Sequence, residues 1–186
     1  MTVAAPRAGL PYFAYGSNML SLRLQERCSS ALPMGVAVAS GRKLCFDKRS
    51  WRDGTGKCRL SASANLDDVV WGVLFRIDDR ELAALDQAEG VGSGYAVGFL
   101  DVDLREGGTT RAHTYVAERG FVDASLTPLR WYMDLVIAGA EEHRLPETYV
   151  EALREVPTKA GPDSEAARRA RALLQGRTWR DRPPTS

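Results

Sequence analysis

The sequence predicts an α+β fold, either a mixed domain or a small barrel of strands. Segments with strand character follow one another, interrupted by one short helix early and one in the middle, and the remaining helices gather at the end. This order argues against a doubly wound parallel sheet, which alternates strand and helix throughout. Size gives a second constraint. A chain of 186 residues suits one domain with a terminal appendage, and by surface scaling it buries about 70% of its extended surface, enough for a self-sufficient core. No internal repeat is visible. The expected organisation is a disordered N-terminus over residues 1–9, the domain over 10–157, and a helical extension with a tail over 158–186.

Taken in order, the apolar and aromatic run 10–15 reads as a strand, stopped by Gly16-Ser17-Asn18, residue types that favour a turn and then a helix start. Residues 20–27 form a short helix with Leu20 and Leu24 on one face. Residues 36–46 and 58–64 alternate as strands do, and the polar, glycine-containing segment 47–57 between them reads as a long loop. Residues 69–77 (VVWGVLFRI) carry the clearest strand signal. Asp78 and Glu81 have the spacing of a capping box, opening a helix that runs to Glu89 and ends at Gly90, a suitable C′ residue. Residues 95–104 alternate again, and Gly107-Gly108 turns the chain into a strand over 111–116. From Thr127 onward Leu129, Tyr132, Met133, Val136, Ile137 and Ala140 fall on one helical face. Pro146 starts a further helix to about Glu155. A loop at 159–162 leads to a charged helix over 164–175, and the end containing Pro183 and Pro184 should fray.

Composition bounds the partners. Twenty-five basic against 24 acidic side chains leave a formal charge of +1, so there is no sequence-wide field to hold nucleic acid or an anionic membrane. Any substrate is therefore expected to be small. The 44% hydrophobic and 26% charged fractions exclude collagen, coiled coils and disordered tails. Cys28, Cys45 and Cys58 are odd in number and lack CxxC spacing, which points to reduced thiols in a cytoplasmic protein. His113 and His143 are too far apart for a compact metal motif, so no metal is expected. Residues 1–10 lack a signal core, and no apolar run approaches the roughly 20 residues of a membrane helix.

Two segments carry the chemistry. Tyr15-Gly16-Ser17-Asn18 lies at a strand-to-helix junction, where successive backbone N–H groups can take a carboxylate or other anion, glycine permits close approach, and Ser17 and Asn18 add donors. The plainer alternative is a turn and cap with no ligand. Glu89 lies seven residues after Leu82 and four after Leu85, on the apolar side of its helix and at its C-terminal end. Desolvation and the helix dipole both act to raise the pKa of such a carboxylate toward a range useful for proton transfer. The alternative is a frayed last turn that lets it reach water. Asp86 falls on the solvent side.

Other candidates are weaker. The glycines of Gly90-Val91-Gly92-Ser93-Gly94 are out of register for a dinucleotide loop or nucleophile elbow, and Gly54-Thr55-Gly56-Lys57 lacks Walker spacing. His113 is expected to face solvent or a strand neighbour. Cys45 and Cys58 read as buried apolar residues. Tyr132 reads as core with a hydroxyl in need of a partner, and Arg168, Arg169 and Arg171 as a solvated helix face.

Together and in this order, these segments resemble the γ-glutamylcyclotransferase family. Tyr12-Phe13-Ala14-Tyr15-Gly16-Ser17-Asn18-Met19 is similar to its YFAYGSN(L/M) strand and loop, and Val70-Trp71-Gly72-Val73 to its VWGV strand. Leu85-Asp86-Gln87-Ala88-Glu89-Gly90-Val91 is similar to LDxxEGV, whose glutamate is the family's acid/base. Gly139-Ala140 and Leu145-Pro146-Glu147-Thr148-Tyr149 resemble the GA…LPxxY pattern of the animal enzymes, in which a substrate-contacting tyrosine falls at Tyr132. The resemblance runs from about Tyr12 to Val156. Asn18 resembles the branch acting on γ-glutamyl amino acids, since the γ-glutamylamine branch reads YGT and the glutathione-specific branch YGSL. The family often has a tyrosine where Ala96 falls, a place Tyr95 fills if the loop shifts by one. Segment 47–57 does not align readily.

The resemblance implies a compact mixed barrel with flanking helices, a small γ-glutamyl substrate, and no metal or redox cofactor. It also implies a substrate pocket drawn from Tyr12 to Asn18, Tyr95 and Tyr132, with Glu89 as general acid/base and the N–H groups of Tyr15, Gly16 and Ser17 holding the glutamyl group. The expected reaction closes a γ-glutamyl amide into 5-oxoproline with release of its amine. Two alternatives stay open: removal of a γ-glutamyl group from a biosynthetic intermediate, and a non-catalytic binding module, against which the presence of Glu89 speaks. The leaving amine and the oligomeric state, a homodimer included, are not fixed by sequence.

Overall fold

The structure is a computed structural model that describes residues 9–176; the expected fraying around Pro183 and Pro184, and all but the last residue of the expected disordered N-terminus, lie outside it. Strand β1 (Leu10–Ala14) leads through a 3-10 turn (Ser17–Met19) into helix α1 (Ser21–Gln25). Strands β2 (Leu32–Ser40), β3 (Arg42–Arg49), β4 (Gly56–Ala62) and β5 (Val69–Ile77) follow in succession. A 3-10 turn (Asp79–Glu81) and helix α2 (Leu82–Glu89) then precede the hairpin β6 (Tyr95–Leu104) and β7 (Thr109–Ala117). Helices α3 (Arg130–Glu142), α4 (Glu147–Arg154) and α5 (Glu165–Leu174) complete the described chain.

Five strands close a barrel in the order β1-β5-β2-β6-β7. All neighbours are antiparallel except at the closure, where β1 runs parallel to β7 with Tyr12 opposite His113. β5 lies between β1 and β2, and its residues from Gly72 to Phe75 are all buried, which explains its near-continuous apolar sequence. Phe13, Leu74, Phe75, Val102, Met133 and Val136 belong to one buried cluster that ties the barrel to α3. The mixed α+β barrel with helices is thus the architecture found.

The hairpin of β3 and β4 stands apart as its own two-stranded sheet, and here the sequence reading needs correction. Residues 36–46 are not one strand. Gly41 takes a left-handed backbone with φ of 64°, so β2 ends in the barrel and β3 leaves it. Alternation continues across the break because both flanks are strands. The expected long loop accordingly shrinks to residues 50–55, since β3 continues to Arg49 and β4 begins at Gly56. The capping box is also only half formed. Asp78 accepts from the Arg80 N–H at 3.0 Å, whereas Glu81 turns away to the N–H groups of Ser29 and Ser30 at 3.0 Å each.

Helix α3 covers the end of the barrel at which β1 finishes. It packs against the turn after β1 through Gly139, where a Cβ would lie 2.4 Å from the Leu20 nitrogen and 2.7 Å from the Met19 carbonyl carbon. On its other side α5 docks through Ala170 and Leu173 against Leu135 and Leu20. The N-cap of α5 is Ser164, whose hydroxyl accepts from the Ala167 N–H at 3.2 Å.

Candidate active site

The chain leaves β1 at Ala14 and bends at Gly16 into the 3-10 turn, whose first N–H groups have no partner within the turn. Among the described residues nothing accepts from the N–H groups of Gly16 or Ser17. A side chain at Gly16 would be tightly confined: a Cβ would sit 3.2 Å from the Cβ and Sγ of Cys58 and 3.4 Å from the Tyr132 hydroxyl, so these neighbours would have to yield. Beside the turn is a recess of about 30 Å³ whose wall includes Tyr12, Gly16, Asn18, Cys58, Glu89 and Tyr95.

Glu89 enters this recess as the last residue of α2. Leu85, one turn earlier on the same face, is fully buried, and Gly90 ends the helix with φ of 76°. The Glu89 side chain is 17% exposed, so it stands at the cavity and away from bulk water. One of its oxygens, Oε1, accepts from Asn18 Nδ2 at 2.9 Å and is ion-paired with Arg27. Arg27 also donates to Asn18 Oδ1 at 2.6 Å, and Asn18 Nδ2 donates in addition to the Tyr12 hydroxyl at 2.9 Å. Asn18 therefore uses both of its N–H donors and one lone pair of its oxygen on this side of the recess. Among the described residues nothing donates to Glu89 Oε2. Burial, reinforced by the Glu89 charge, pushes the Tyr12 hydroxyl far above its ordinary range, so it stays protonated.

Sequence reasoning missed Arg27. It lies just beyond α1, and only the fold places it against a carboxylate 62 residues later. Cys58 is the other unforeseen wall residue. Its backbone is held at both ends, the N–H donating to the Tyr132 hydroxyl at 3.1 Å and the carbonyl accepting from the Tyr95 hydroxyl. Burial raises the Cys58 thiol to about 12, which leaves it neutral. Tyr15 donates to the Tyr115 carbonyl at 2.6 Å.

Of the residues marked in the sequence, Tyr12, Tyr15, Gly16, Ser17, Asn18, Glu89 and Tyr95 meet at the recess, and Tyr132 stands at its mouth. Phe13 and Ala14 do not reach it: both are core residues, packed where β1 crosses Gly72. Asp86 is not a plain solvent residue, since it accepts from the Tyr115 hydroxyl at 2.7 Å. His113 is buried and does not face solvent. Its ring lies edge-on to Tyr115 at 4.9 Å, and desolvation lowers its pKa and keeps it neutral. Arg168 and Arg171 pair with Asp163 on the helix surface as a solvated face should, but Arg169 pairs with Glu26 and borders the cavity.

The recess opens into a larger cavity of about 1060 Å³, with which it shares Ser17, Glu89 and Tyr95. The outer walls come from the loop between β3 and β4, the start of α3, and residues 159–169. Lys48 is 2% exposed, with its Nζ 3.9 Å from the Tyr95 ring centre. Burial lowers its pKa to about 8, against the opposing pull of the Glu89 charge. The charged form is thus disfavoured in the folded chain; the penalty is complete below pH 8 and fades as pH rises from there toward 10.5, the ordinary value. Lys48→Met should accordingly stabilise the fold at pH 7 by up to about 3 kcal/mol, with most of that gain gone at pH 10. Denaturant unfolding at the two pH values checks this, and a gain independent of pH would contradict it.

Among the described residues no group of three or more His, Cys, Asp or Glu side chains is placed to hold a metal ion. No described helix is long and apolar enough to cross a membrane.

Comparison with known proteins gives a consistent result. Residues 69–153 match the model of the AIG2-like family. The γ-glutamylcyclotransferase of Mus musculus is 35% identical over 150 residues and that of Homo sapiens 33% identical over 152; each alignment covers 78% of this chain and 77% of the relative. A solved structure described as γ-glutamyl cyclotransferase superposes with a TM-score of 0.79 at 30% identity, covering 90% of this chain and 99% of that one.

Proposed function

The chain belongs to the γ-glutamylcyclotransferase family and is an enzyme of that class, and from that premise we propose that Glu89 is the acid–base group that turns a γ-glutamyl amide into 5-oxoproline and a free amine. One observation carries the assignment. Asn18 and Arg27 both hold Glu89 through Oε1, so the carboxylate is fixed in place and Oε2 is left to exchange a proton.

The substrate enters with its α-carboxylate toward the unpaired N–H groups of Gly16 and Ser17, and its chain lies past Glu89. The α-ammonium gives a proton to Glu89, and the freed amine attacks the γ-carbonyl carbon of the same molecule. A C–N bond forms, the carbonyl electrons move to oxygen, and a five-membered tetrahedral intermediate results. When the carbonyl re-forms, the bond to the departing nitrogen breaks and Glu89 returns the proton to it; the ring nitrogen's surplus proton then passes through Glu89 to the released amine, which leaves as its ammonium while the lactam N–H is neutral. Nothing is oxidised or reduced. The nucleophile and electrophile belong to one molecule, so folding the chain into attack geometry supplies much of the barrier reduction. The neutral hydroxyls of Tyr12, Tyr95 and Tyr132 shape the pocket without competing for the proton.

Cys28, Cys45 and Cys58 are all free thiols, which supports action in a reducing compartment such as the cytoplasm. The reading is tested by incubation with γ-glutamyl-alanine, glutathione and γ-glutamyl-lysine, followed by assay of 5-oxoproline. Release from γ-glutamyl-alanine is expected, and release from none of the three would overturn the reading.

A further inference from the structure

The outer cavity is larger than a small amino acid requires, reaching the top of the roughly 300–1,000 Å³ typical of pockets for drug-sized ligands. Its walls also carry an excess of positive charge. Three of its cations are already neutralised: Arg27 by Glu89, Lys57 by Asp53 at 3.0 Å, and Arg169 by Glu26 at 2.6 Å. Four are not. Arg23, Lys48, Arg52 and Lys159 line the cavity, and among the described residues none of them has a carboxylate within ion-pair distance. The acid left on the wall is Glu165. Arg23 donates to the Ser17 hydroxyl at 3.0 Å and Lys48 is packed on Tyr95, so two of the four cations stand where the recess opens. Arg52, over the Trp51 ring at 4.6 Å, and Lys159 lie farther out.

A buried ammonium with no counter-ion is costly to fold, and it is offset when an anion arrives. Taking the glutamyl α-carboxylate to sit in the recess, as proposed above, the departing half of the substrate must lie in this cavity. We infer that the departing amine is anionic beyond a single α-carboxylate, an acidic amino acid or acidic peptide, and that the cavity cations select it. A cationic leaving group, such as an amino sugar or a lysine side chain, meets the wrong sign of field.

The test compares γ-glutamyl-glutamate, γ-glutamyl-alanine and γ-glutamyl-lysine. For the unmodified enzyme kcat/KM should fall in that order, with the first exceeding the last by about tenfold or more at low salt and the gap narrowing as salt is added. The double variant Arg52→Glu with Lys159→Glu should lose this preference, with kcat/KM falling further on γ-glutamyl-glutamate than on γ-glutamyl-alanine and not falling on γ-glutamyl-lysine. Binding of the same three peptides is measured in parallel by calorimetry in a Glu89→Gln background, with and without the two charge reversals. A binding order that follows charge and collapses on reversal supports the inference even if no peptide is turned over, in which case the cyclotransferase reading alone fails. Equal binding of the glutamate and lysine peptides, or a preference that survives reversal, overturns the inference whatever the turnover.

Discussion

Glu89→Gln is expected to lower kcat for γ-glutamyl-alanine by about 10²–10⁴-fold, the usual contribution of a positioned acid–base group. Glutamine keeps an oxygen that can accept from Asn18 and from Arg27, so the local geometry has reason to persist. It has no proton-accepting site at neutral pH, so the step that frees the α-amine is lost. The stability cost should be about 1 kcal/mol, because the lost ion pair is partly exposed and a charge-assisted hydrogen bond from Arg27 remains. Steady-state kinetics with thermal unfolding of the same sample separates these effects. A glutamine variant that turns over like its parent removes Glu89 from the chemistry. One that is inactive because it has unfolded says nothing about proton transfer, and the unfolding measurement identifies that case.

Gly16→Val should lower kcat/KM by about 10²-fold or abolish saturable activity. The backbone at Gly16 has φ of −127°, which any residue can adopt, so the obstacle is space and not strain. The recess holds about 30 Å³, room for two waters at the 10–15 Å³ that one water needs. A Cβ already approaches Cys58 to 3.2 Å, and the two methyls of valine would occupy what remains. The loss should appear chiefly in KM, because the proton-transferring carboxylate is untouched. Gly16→Ala, which adds the Cβ alone, should fall between the two. Substrate binding that is unchanged in the valine variant would take this turn out of the site.

The two substitutions probe features with different degrees of visibility in the sequence. The turn at Gly16 was readable because its signal is local: an apolar strand stops at a glycine followed by two capping residues. Glu89 was readable for a similar reason, since its spacing from Leu82 and Leu85 sets the helical face before any tertiary contact forms. The same local logic found β5 and β6 at their observed bounds, and α3 with its start placed three residues early. It failed at Gly41, where strand alternation ran straight through a turn, and at Glu81, where a capping residue found better partners in Ser29 and Ser30. Phe13 and Ala14 were drawn into the expected pocket by adjacency to it. In a strand neighbouring side chains point to opposite faces, which turns Phe13 away from Tyr12 and the recess; Ala14 shares the face of Tyr12, but its methyl is buried in the core.

What the sequence alone determined is the set of periodic elements, the turn at Gly16, and a carboxylate on the apolar side of a helix end. These follow from the repeats of 2 and 3.6 residues and from capping chemistry, which act over a few positions. Tertiary structure decided the rest: the strand order β1-β5-β2-β6-β7, the departure of β3 and β4 into a separate hairpin, and the meeting of Glu89 with Arg27 and Asn18. It also brought Lys48 and Lys159 to one cavity and Cys58 to the recess that opens into it. Such encounters between residues tens of positions apart depend on how the barrel closes and on which helices cover it. No short-range pattern encodes that closure, because its free energy comes from burying all the faces at once.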